Sequence, residues 1–145
     1  MSFPDSVKSV FSQYATFSGR ARRSEFWFWY LFLVIVGGVV GTVVGIVAAS
    51  SYDATTETFG AGLYVVSSLV SLVWLALVLP TLAVMVRRLH DQDKSGFFWF
   101  LSLIPLVGGI IMIVLYALPG TAGPNRFGPD PKVAQAPAAS YAVPA

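Results

Sequence analysis

Arg87-Arg88-Leu89-His90-Asp91-Gln92-Asp93-Lys94-Ser95-Gly96 decides the fold, because this short run of charge parts two long segments that carry none. It holds the only histidine, three of the nine basic residues and two of the seven acidic ones. Outward from it, stretches without Asp, Glu, Lys, Arg or His run from Phe26 to Tyr52, from Thr58 to Val86 and from Ser95 to Asn125. Each reaches or exceeds the roughly 20 residues a helix needs to cross about 30 Å of hydrocarbon. With 56% hydrophobic and 11% charged residues and a mean hydropathy of +0.73, the chain lacks the polar surface of a soluble domain. The expectation is an all-α membrane protein in one multi-pass domain, residues 1–132. About three transmembrane helices are expected at 26–49, 63–86 and 97–118, followed by a disordered Ala/Pro-rich tail at 133–145.

Residues 3–17 place Phe3, Val7, Val10, Phe11, Tyr14 and Phe17 at helical spacing opposite Asp5, Lys8, Ser9, Ser12 and Gln13. That pattern predicts an amphipathic helix lying in the interface, begun by Pro4 and stopped at Ser18-Gly19. Packing of the same face against the protein's own loops is the alternative. The apolar run after it is too long for a cleavable signal peptide. Arg20, Arg22 and Arg23 followed by Phe26-Trp27-Phe28-Trp29-Tyr30 mark a membrane boundary, with guanidinium groups at phosphate depth and aromatic rings in the head-group belt. Glu25 needs a cation there, and Arg22 lies one helical turn before it.

Gly37, Gly41 and Gly45 recur every four residues and form a face on which another helix can pack closely. A neighbour within the chain is preferred over a second protomer. The loop between the first two spans has Asp53 and Glu57 but no Lys or Arg, against four basic residues before the first span and three after the second. The bias places the N-terminus in the cytoplasm. Pro80 predicts a kink in the second span. In the third segment, Pro105 and Gly108-Gly109 predict a kinked span that sends the C-terminus outside; a re-entrant hairpin that returns it is the alternative. Residues 119–131 are turn chemistry throughout.

No Asp, Glu, Lys, Arg or His lies within the spans, which argues against a proton-coupled pump. Asp91 to Gly96 imitates half of a calcium loop, but position twelve would be Ser102, so no metal is expected. Absence of cysteine removes thiol ligands and nucleophiles. No catalytic signature, cofactor motif or nucleic-acid stripe is present.

Three motifs in order carry a resemblance: Phe17-Ser18-Gly19-Arg20-Ala21-Arg22-Arg23-Ser24-Glu25-Phe26-Trp27, Arg87-Arg88-Leu89-His90-Asp91 with Ser95-Gly96, and Asn125-Arg126-Phe127-Gly128-Pro129-Asp130-Pro131. The chain resembles, over residues 8–132, the bacterial inner-membrane family called domain of unknown function 805, the YhaH-like proteins. The resemblance implies a small multi-pass protein of the bacterial inner membrane and brings no activity, substrate or cofactor. The functional expectation is a non-enzymatic module. Arg20, Arg22, Arg23, Glu25, Arg87, Arg88, His90 and Asp91 would form an interfacial cluster for anionic lipid head groups or a membrane partner. The alternatives are a subunit of an oligomeric transporter or channel, and a head-group enzyme using His90.

Overall fold

The computed structural model describes residues 1–133; of the tail expected at 133–145, all but its first residue lies outside the described residues. A capping box starts the first helix, α1 (Phe3–Ser12): Ser2 Oγ accepts from the Asp5 amide while the Asp5 carboxylate accepts from the Ser2 amide at 3.2 Å. The helix stops short of the expected Ser18-Gly19. The amide of Gln13 closes on the Ser9 carbonyl, and the Gln13 side chain turns to Ser9 Oγ and Arg87. The apolar face of α1 lies on the chain itself. Val10 is fully buried, and Phe11 meets Trp29 and Phe32 edge-on at 5.2 and 6.0 Å.

Two helices are long and apolar enough to cross a membrane: α2 (Arg23–Ser51) and α3 (Ala61–His90), of 29 and 30 residues. At 1.5 Å per residue each is about 44 Å long. They are joined by a small hairpin, β1 (Tyr52–Asp53) against β2 (Thr58–Phe59), with Tyr52 opposite Phe59. Pro80 is accommodated inside α3, which runs through it without a break.

The third apolar segment is not the kinked span expected at 97–118 but takes the alternative, returning path. A 3-10 helix, Gly96–Leu103, starts at Ser95, whose hydroxyl accepts from the Phe97 amide; α4 (Gly108–Ala117) then runs back. At about 2.0 and 1.5 Å per residue, each arm reaches some 15 Å, half the hydrocarbon thickness. Leu106 sits at the tip with φ +67° and 96% of its surface exposed. A side chain at Gly108 would collide with the Leu101 carbonyl, so this turn needs glycine. The segment ends where it began: the Thr121 amide donates to the Asp91 carbonyl at 2.8 Å.

Burial is concentrated at the charged end of the molecule. Phe26, Trp29, Leu77, Val84, Leu89, Met112 and Tyr116 form the core there, with the rings of Phe26 and Tyr116 4.3 Å apart. Trp29 Nε1 donates to Thr81 Oγ1 at 3.1 Å, tying α2 to α3. Towards the hairpin end, valines, leucines and isoleucines of both helices stay exposed, the surface a lipid bilayer covers.

Candidate functional site

The charged motifs converge because the C-terminal loop returns to the end of α3. Asp91, 5% exposed, is the hub. Arg20 Nε donates to Asp91 Oδ1 at 3.0 Å, with a terminal nitrogen of the same guanidinium in ion-pair contact at 3.0 Å, and Arg88 donates to Asp91 Oδ2. The rest of each guanidinium goes to backbone. Arg20 reaches the carbonyls of Thr121 and Gly123 at 2.6 Å and of Gly128 at 3.4 Å; Arg88 reaches those of Tyr116 and Leu118. A loop of proline and glycine turns leaves its carbonyls without partners, and the arginine forks fill them.

Glu25 and Arg87 form a second buried centre. Arg87 donates to Glu25 Oε1 at 3.2 Å and to Gln13 Oε1 at 2.8 Å, and Ser9 Oγ donates to Glu25 Oε1 at 3.1 Å. The expected Arg22–Glu25 pair is therefore corrected. Arg22 is the N-cap of α2, with extended backbone at ψ 157°, so its side chain leaves the helix face and binds the Pro131 carbonyl. Of the arginines expected to meet head groups or a partner, three are withdrawn from the surface. Arg20, Arg87 and Arg88 are 9%, 1% and 0% exposed and face inward.

His90 stacks flat on Phe127 at 3.8 Å, with Nδ1 3.2 Å from the Gly19 carbonyl and its own carbonyl accepting from Asn125 Nδ2 at 2.8 Å. The residues Asn125, Phe127 and Gly128, quoted in the sequence as a motif but not as a site, thus close the cluster from the third side. Asp93 pairs with Arg126 at 3.2 Å on the exposed surface. Both carboxylates of the calcium-like run therefore face guanidinium groups. Gly37 faces the Trp74 ring on α3, whereas Gly41 and Gly45 face open space.

Arg23 stands apart. It is exposed and, among the described residues, makes no ion pair, as is also true of Lys132. Both line a cleft of about 370 Å3 between the start of α2 and the C-terminal loop, together with Arg20, Arg22, Ser24, Asp91 and Asp130. No side chain caps the first turn of α2, which begins at this cleft. The Asp130 carboxyl is held below its ordinary range, first by the Lys132 amide, then by the Gly123 amide and the charges of Arg20 and Lys132. Lys132 was missed as a site residue. In the sequence it stands alone at the edge of the tail, and only the returning loop brings it to Arg23.

Two long apolar helices, a half-depth hairpin and a buried charge cluster at one end define a small multi-pass helical membrane protein. The family described as "Protein of unknown function (DUF805)" matches residues 14–129, and the chain belongs to it. It is 37% identical over 124 residues to the Escherichia coli K12 inner membrane protein YhaI, covering 86% of this chain and 92% of that one. It is 38% identical over 127 residues to inner membrane protein YhaH of the same organism, covering 86% and 93%. No solved structure matches the chain. The protein is accordingly placed in the inner membrane.

Proposed function

We propose that the protein is a non-enzymatic inner-membrane module that holds an anionic lipid head group in the cleft between the start of α2 and the C-terminal loop. The observation that carries this reading is unbalanced charge. Four cations and two carboxylates line the cleft, and one of those carboxylates, Asp91, is also shared with buried Arg88. Five positive groups thus meet two negative ones. Of these, Arg20 and Arg88 are buried with one carboxylate between them, a costly shortage of negative charge that an anion at the cleft would offset. Arg22, Arg23 and Lys132 lie at the rim, as phosphate-depth cations do. The inward arginines build the frame and the rim residues bind.

Lipid analysis after purification tests the assignment. Arg23→Ala/Lys132→Ala removes exposed groups without touching the frame. At about 1 kcal/mol per cation near an anionic surface, anionic lipid should be held roughly 10- to 30-fold more weakly, with melting unchanged. Arg126→Ala, which is not part of the cleft lining, should retain lipid as wild type does. Unchanged lipid content in the folded double variant would sink the proposal.

The cleft belongs in this reading to the cytoplasmic leaflet, from the basic residues flanking α2 and α3 and their absence from the hairpin. Because the chain has no cysteine, single cysteines can be labelled without background. Ser18→Cys and Ala122→Cys, both at exposed positions, are expected to react only from the cytoplasmic side. Thr55→Cys in the hairpin should react only from outside. Labelling of Ser18→Cys from outside would reverse the orientation, and opposite sides for Ser18 and Ala122 would contradict the returning third segment.

A further inference from the structure

Resting on that reading of the cleft, we infer that its preferred ligand is a doubly charged phosphate monoester rather than the singly charged phosphodiester of common phospholipids. The first argument is charge. With Asp91 spent between Arg20 and Arg88, and Asp130 the remaining carboxylate on the lining, three positive charges stay unmatched around the cleft. A phosphodiester carries one negative charge, whereas a monoester carries between about 1.5 and 2 at neutral pH.

The second argument is donor supply. Arg22 uses Nε and one terminal nitrogen on the Pro131 carbonyl, and its other terminal nitrogen has no hydrogen-bond partner among the described residues. Arg23, Lys132 and the Ser24 hydroxyl make no side-chain hydrogen bond among the described residues. The first-turn amides of α2 add donors without a side-chain cap. Such a surplus suits three terminal phosphate oxygens better than the two of a diester. The third argument is room: about 370 Å3 accommodates one phosphate with its neighbouring ester. The monoester can be the end of a lipid or a free phosphate ester, and the same groups would hold either.

Binding to the full-length protein in neutral detergent separates these possibilities. The probes are short-chain phosphatidic acid, short-chain phosphatidylglycerol, cardiolipin and free glycerol 3-phosphate. At about pH 7.5 phosphatidic acid is expected to bind about tenfold more tightly than phosphatidylglycerol, the worth of one extra charge-assisted hydrogen bond. Towards about pH 5 the ratio should collapse, because the second ionisation of a monoester lies near pH 6. The protein groups facing the ligand are Arg20, Arg22 and Arg23 before and at the start of α2, Asp91 after α3, and Asp130 and Lys132 on the loop. His90, outside the lining but in the same cluster, would gain positive charge on acidification and strengthen anion binding, the opposite direction. Phosphatidylglycerol keeps its charge over this range and reports any titration of the protein itself.

Glycerol 3-phosphate binding as tightly as phosphatidic acid would place the ester in solution, and weaker binding would place it on a lipid; both outcomes support the inference. Phosphatidylglycerol or cardiolipin binding at least as tightly as phosphatidic acid at about pH 7.5, or a ratio unchanged towards about pH 5, would overturn it while leaving head-group binding intact. If none of the lipids binds, the cleft assignment itself fails. Arg23→Ala/Lys132→Ala should weaken phosphatidic acid more than phosphatidylglycerol; equal weakening would count against the monoester.

Discussion

Asp91→Asn is expected to lower stability by about 3–5 kcal/mol. The carboxylate sits between two guanidinium groups, Arg20 and Arg88, that are 9% and 0% exposed. Asparagine keeps the volume and an acceptor but removes the charge, so two buried cations lose their counter-ion together. That cost is a large fraction of a typical folding free energy of about 5–15 kcal/mol. The exposed Arg126–Asp93 pair provides the contrast: its side chains are 59% and 47% exposed, and Arg126→Ala should cost less than about 1 kcal/mol. Thermal or denaturant unfolding in lipid nanodiscs compares the two. Similar melting of Asp91→Asn and Arg126→Ala would show that the hub carries no special weight.

The hub explains why one part of the fold was legible in the sequence and another was not. Hydrophobic length alone identifies α2 and α3, because each must satisfy its backbone internally across the bilayer. The boundary arginines and aromatics were equally plain. Pairing was harder. Glu25 has Arg22 one turn before it, yet Arg22 is an extended N-cap and its side chain does not follow the helical face. The true partner, Arg87, comes from another helix 62 residues on. Arg20 shows a second limit. Several of its acceptors are main-chain carbonyls of residues 121–128, which no side-chain pattern encodes. The available signal was the density of proline and glycine there, which leaves carbonyls without ladder partners. Pro105 and Gly108 announced a break in the third segment, but the tight turn depends on Gly108 passing the Leu101 carbonyl, a tertiary fact.

Gly120→Val is expected to detach the C-terminal loop from an otherwise folded protein. A Cβ at this position would collide with the Asp91 carboxylate and lie 2.9 Å from the Asp91 carbonyl oxygen. The carboxylate cannot step aside, because Arg20 and Arg88 grip both of its oxygens. The chain must therefore yield on the loop side. It would give up the Thr121 amide bond to Asp91 at 2.8 Å and the Arg20 bonds to Thr121 and Gly123 at 2.6 Å. Overpacking together with lost charge-assisted bonds puts the penalty at about 3 kcal/mol or more. α2 and α3 keep their own contacts at Trp29–Thr81 and Gly37–Trp74, so the damage should be local. Amide exchange should rise sharply over residues 119–131 with little change in α2 and α3. Unaltered exchange in that loop would refute the steric account. The same variant also separates frame from ligand site. Lys132 and the Pro131 carbonyl that aims Arg22 both ride on the loop, so phosphate-ester affinity should fall even though no binding side chain has been replaced.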